Sequence, residues 1–102
     1  MITTQGIEEI AQSIIDRVDH GSYDLEGVTN TTTIYKTSIE GDTVMIYLYL
    51  EDGVSGDLSN FKLISVTGND FAIKPEIINK PDTKGLLVRF KFQVKEETLY
   101  VV

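Results

Sequence analysis

The sequence predicts an α+β, mainly β fold: one N-terminal amphipathic helix followed by an antiparallel β-sandwich or rolled sheet of about six strands. Three observations carry that expectation. Ile7, Ile10, Ala11, Ile14 and Val18 recur at helical spacing, which is one apolar stripe on a helix. Downstream, Leu86, Val88, Phe90, Phe92 and Val94 alternate with Leu87, Arg89, Lys91 and Gln93, the two-residue period of a strand with one face buried. The chain has 102 residues, enough for one core and no second domain. A single domain over 1–102 is therefore expected, with helix at 4–20 and sandwich at 31–102.

For the helix, the hydroxyl of Thr3 or Thr4 supplies an N-cap, and Glu8 and Glu9 are expected in the first turn, where the dipole favours anions. His20-Gly21 is expected to close it, with a residue that tolerates a left-handed terminus. A helix this short is marginal alone, so its stripe must dock. Thr31–Ile39 is rich in β-branched residues, Glu40-Gly41-Asp42 makes a turn, and Val44–Leu50 returns, so 31–39 and 43–51 read as a hairpin. Glu51–Asn60 reads as a polar loop, Phe61–Thr67 as a strand and Gly68-Asn69-Asp70 as a turn. Phe71–Lys74 is a short return strand stopped by Pro75. Asn79–Gly85 reads as a loop, Leu86–Val94 as the long strand, and Leu99–Val102 as a terminal strand or tail.

The segment 44–50 breaks simple alternation. Val44, Ile46, Leu48 and Leu50 form one apolar face, while Met45, Tyr47 and Tyr49 form the other. A half-solvated strand does not place methionine and tyrosines on its wet face. Either the helix covers that face, or it is an interface with another chain, because tyrosine and methionine are enriched in interface cores. The apolar end Leu99-Tyr100-Val101-Val102 is the second expected interface element, added as a strand to a sheet edge.

Charge excludes some functions. The net charge of −7 argues against nucleic-acid binding, which leaves a basic footprint. Residues 1–60 carry eleven acids against Arg17 and Lys36, a net of −9, whereas 61–102 carry five acids against seven bases, a net of +2. Either the halves pair inside one sheet or the molecule has an acidic and a basic end suited to head-to-tail stacking. Apolar runs are far shorter than the roughly 20 residues of a membrane helix, and no signal-peptide pattern is visible.

Chemistry is sparse. The absence of cysteine removes disulfides, thiol catalysis and thiolate metal sites. One histidine rules out H-E-x-x-H, and no P-loop, dinucleotide fingerprint or G-x-S-x-G occurs. Asp16, Asp19, His20 and Asp24 can be drawn as a hard-metal cluster, and Glu51–Asp57 faintly resembles a calcium loop without its register. Solvated acids account better for both. Tyr23, Tyr35, Tyr47, Tyr49 and Tyr100 suit core and rim positions better than a sugar platform. No catalytic residue, cofactor or metal is expected, and the protein reads as a non-enzyme.

The opening Met1-Ile2-Thr3-Thr4-Gln5-Gly6-Ile7 before an amphipathic helix resembles the start of small tail-fibre and baseplate-associated structural proteins of tailed bacteriophages. The order Thr43–Leu50, Gly56–Asn60, Phe61-Lys62-Leu63-Ile64 and Lys80–Phe92 is similar to that group's strand, polar loop, strand, loop and long C-terminal strand. The glycine-rich segment usual after the helix is missing, with Asp19–Gly27 in its place. The resemblance implies a virion structural protein that joins tail components without catalysis. Its partners would be other tail proteins or copies of itself, and it would be a homo-oligomer in the particle, made in the host cytoplasm. The alternative from charge is a small acidic inhibitor or nucleic-acid mimic acting on a host enzyme.

Overall fold

The computed structural model describes residues 2–95 of the chain. A helix α1 (Thr4–Arg17) leads into eight strands: β1 (Val18–Leu25), β2 (Val28–Thr32), β3 (Lys36–Glu40), β4 (Thr43–Leu50), β5 (Gly56–Ser65), β6 (Asp70–Lys74), β7 (Ile78–Lys80) and β8 (Leu86–Gln93). All pairings are antiparallel. One sheet runs β2-β1-β5-β6, with β7 also beside β5, and the other runs β3-β4-β8. The α+β, mainly β class is as expected, with more strands than the sequence suggested.

Thr3 caps the helix, its hydroxyl accepting from Gly6 N–H at 3.0 Å. Glu8 and Glu9 follow the first turn rather than sit in it. The helix stops at Arg17, short of the expected His20, because Val18 turns extended and begins β1 at once. Strand β1 pairs with both β2 and β5. Three more helical residues would forfeit the pairing of Val18 and His20 with β5, and the Arg17 carbonyl is instead taken by Val66 N–H at 2.9 Å. His20 and Gly21 are thus strand residues and not a helix terminus.

The single strand expected over 31–39 is two strands in different sheets, β2 and β3, separated at 33–35. The hairpin turn at Gly41-Asp42 stands where the sequence placed it. The expected loop 51–60 gives way to strand at Gly56, and the expected loop 79–85 begins inside β7. Both changes serve β5, whose two ends bind β7 and β6.

The sheets share one core. Tyr23, Leu58, Phe61 and Leu63 meet Val44, Ile46, Leu48, Leu50, Val88 and Phe90. Leu86 and Phe92 pack against this core without being fully enclosed. Helix α1 packs on β3, β4 and β1 and contributes Ala11, fully buried, with Ile14 and Ile15 beside it. The helix's inward side is therefore Ala11, Ile14 and Ile15, with Val18 of β1 also packed against the core, while Ile10 lies on the flank at 40% exposure. The helix docks on its own sheets. Acidic and basic halves also interleave, since β1 pairs with β5 and β4 with β8.

Candidate interaction face

Because the helix enters the core beside Val44, Ile46 and Leu48, it lies on the inner side of the three-stranded sheet. The opposite face carries Met45, Tyr47 and Tyr49. The expectation that the helix covers these residues is corrected: they lie on the outer face of a sheet whose inner face is already filled. The register sets their neighbours. Lys36 and Arg89 flank Tyr47, Ser38 and Lys91 flank Met45, and Leu87 sits beside Tyr49. Paired residues in a sheet project to the same side, so three cations and the tyrosines share one surface.

The aromatic groups are ordered by one another. Tyr35 and Tyr49 lie 5.3 Å apart between ring centroids, tilted by 36°. The Lys36 ammonium stands 5.8 Å from the Tyr47 ring centroid, a cation–π geometry. Tyr47 Oη donates to Met45 Sδ at 3.4 Å. Gly85 lets the chain pass under Tyr49, since a β-carbon there would fall 2.2 Å from Tyr49 Oη. Tyr35 is 61% exposed, Leu87 53% and Tyr49 39%. Lys36, Arg89 and Lys91 form no ion pair among the described residues.

Tyr35 and Leu87 are additions to the sequence-based site. Leu87 was legible as the one apolar residue on the polar side of the 86–94 alternation. Tyr35 was not, because it lies between strands. The other expected interface residues, Leu99, Tyr100, Val101 and Val102, lie outside the described residues.

The drawn metal clusters do not assemble. Asp16 is on the helix while Asp19, His20 and Asp24 are on β1, so no shared helix face exists. Asp19 Oδ2 meets His20 Nδ1 at 2.7 Å. Asp24 accepts from Asn60 at 2.9 Å and Thr29 at 2.8 Å. These bonds, Asn60 first, hold its carboxyl below the ordinary 3.8 against partial desolvation, with help from Lys62. Asp42 is likewise lowered, by Gln93 and then Thr43, at the β3–β4 turn. Both are fastenings between strands. Among the described residues no three His, Asp or Glu side chains converge as a metal site would require.

The loop 51–57 has its own cation. Lys80, 3% exposed, donates from Nζ to the carbonyls of Asp52 at 3.4 Å, Pro81 at 3.2 Å and Val54. An ammonium held by backbone oxygens satisfies the loop from inside. The basic residue counted at the edge of a loop is thus a buried structural one.

No family model matches the chain, and no curated protein or solved structure is significantly similar to it. The phage resemblance rests on the sequence motifs. Among the described residues no helix is long and apolar enough to cross a membrane.

Proposed function

We propose that this chain is a non-enzymatic assembly protein of a phage or phage-like tail, joining tail, baseplate or fibre components through protein–protein contacts. The observation that carries the contact role is the outer face of β3-β4-β8. Tyr35, Tyr47, Tyr49, Met45 and Leu87 lie there with Arg89, and tyrosine, methionine and arginine are the residues enriched where protein interfaces bury their centres. Tyrosine contributes large rigid contact area at little entropic cost. The tail setting comes from the sequence resemblance.

Mass spectrometry of purified particles from the host that encodes the chain tests the setting. The protein should be a stoichiometric component, and its absence would refute a virion role. The face is tested with Tyr49→Ser combined with Leu87→Ser, both at exposed positions. Incorporation into particles should fall by about tenfold or more, with an unchanged urea midpoint. Normal incorporation would move the contact off this face.

A further inference from the structure

Strand β8 ends its sheet, pairing only with β4 among the described residues. Its register fixes which backbone groups face away from β4. Val94 N–H donates to the Asp42 carbonyl at 2.8 Å, and Val94 continues the β4–β8 register. Hydrogen-bonded and non-bonded pairs alternate along an antiparallel ladder. The even-numbered residues of β8 therefore bond to β4, and the N–H and C=O groups of Leu87, Arg89, Lys91 and Gln93 point away from it. No described residue receives them. The strand carries no proline and no bulge, so the edge is a straight template of the kind that accepts another strand.

A groove of about 270 Å³ opens beside this edge, between the two sheets. Leu86 and Val88 line it from β8, and Phe61, Lys74, Glu76 and Ile78 from the segments opposite, with the Lys74 ammonium 5.4 Å from the Phe90 ring centroid. The sheets close beyond it, where Phe71 and Phe92 meet edge to face at 5.9 Å. An added strand would thus find backbone partners at Leu87 and Arg89 and an apolar recess beside Val88.

The geometry points to an extended segment of a partner protein, alternating apolar and acidic residues, that joins the sheet along β8. Residues placed opposite Arg89 and Lys91 share their outer face, and both cations lack an ion pair among the described residues. Carboxylates fit there. The intervening residues turn inward toward Phe61, Ile78 and Val88, where apolar side chains fit; Glu76 and Lys74 both line this recess, so it selects for apolar bulk and the charge selection lies on the outer face. A second copy of β8 fits poorly, because pairing two of them puts Arg89 and Lys91 of both copies on one face, and like charges across a ladder are unfavourable. The inference rests on the contact-module reading and extends it from the tyrosines to the adjoining β8 edge, where it is read at the backbone amides.

Amide exchange and ¹⁵N chemical shifts of the full chain test it, with the capped peptide Ser-Glu-Val-Glu-Val-Glu-Ser as probe and its Glu→Lys counterpart as control. Binding at or below about 1 mM, with exchange slowed at Leu87, Arg89 and Lys91 and at least about tenfold preference over the control, is the expected result. Arg89→Glu with Lys91→Glu should invert the preference. Failure of the acidic peptide to bind, equal binding of the two peptides, or shifts confined to the Tyr35–Tyr49 surface would overturn it. So would slow exchange of these amides in the chain alone, which would mean that the edge is already occupied.

Discussion

Gly21 on β1 lies against the Leu48 side chain of β4: a β-carbon added to Gly21 would fall 2.4 Å from Leu48 Cδ2. This contact sets how closely the two sheets approach. Leu48 is fully buried, so its end cannot swing into empty space. Gly21→Ala should destabilise the fold by about 1–3 kcal/mol, the usual cost of overpacking. The urea midpoint measures it. An unchanged midpoint would mean that the sheets separate freely at this point.

Removing the Lys80 ammonium strands the carbonyls of Asp52, Val54 and Pro81. Lys80→Met keeps most of the stem volume and deletes the donor, so the loss belongs to the hydrogen bonds. A cost of about 2–4 kcal/mol is expected, in keeping with charge-assisted bonds at a buried site. Equilibrium unfolding gives the value. A neutral result would show that water replaces the ammonium.

Two neighbouring helix positions separate docking from mere amphipathicity. Ala11→Asp places an acid in the core and should cost about 3 kcal/mol or more. Ile10→Asp, on the exposed flank, should cost less than about 1 kcal/mol. Thermal midpoints of the two variants would coincide if the helix were an undocked tether.

Phe90 and Val88 are the enclosed residues of the β8 inner face. Phe90→Ala should cost about 3–5 kcal/mol, and Phe92→Ala less, because Phe92 is only partly enclosed. A larger loss at Phe92, by chemical denaturation, would place the centre of the core elsewhere.

The Asp24 carboxyl is held below its ordinary 3.8, first by Asn60. Its contribution to stability is therefore present above about pH 4 and is lost as pH falls through the lowered folded value. Asn60 has φ near 50°, so Asn60→Gly removes the amide without straining the backbone. In that variant the Asp24 carboxyl should titrate closer to its ordinary value, and stability should fall less between pH 6 and pH 3. Carboxyl ¹³C titration reads the shift directly. An unmoved midpoint would assign the lowering to Thr29.

The legible parts of the fold were those whose pattern is self-contained. The β3–β4 hairpin announced itself by β-branched residues around Gly41-Asp42, and β8 by its alternation. Strand β1 did not, because Asp19, His20, Gly21, Ser22 and Asp24 are poor strand formers in isolation. Its strand state comes from pairing on both sides and from the slender inner surface that Gly21 offers to Leu48. Strand β7 was hidden for a similar reason, being three residues long and anchored by the Lys80 side chain.

Of the candidate site, the sequence by itself determined that Met45, Tyr47 and Tyr49 share one face of a strand whose other face is also apolar. A strand's two-residue period depends on nothing beyond the chain's own geometry. It equally determined that no thiolate chemistry is available. Which face stays open was decided only in the tertiary structure, where the helix entered on the Val44–Leu48 side and left the tyrosines outside. The β8 edge, unpaired among the described residues, and the internal cation of the 51–57 loop are of the same kind. Each depends on which distant segment arrives beside it, and periodicity within a segment carries no information about its neighbour.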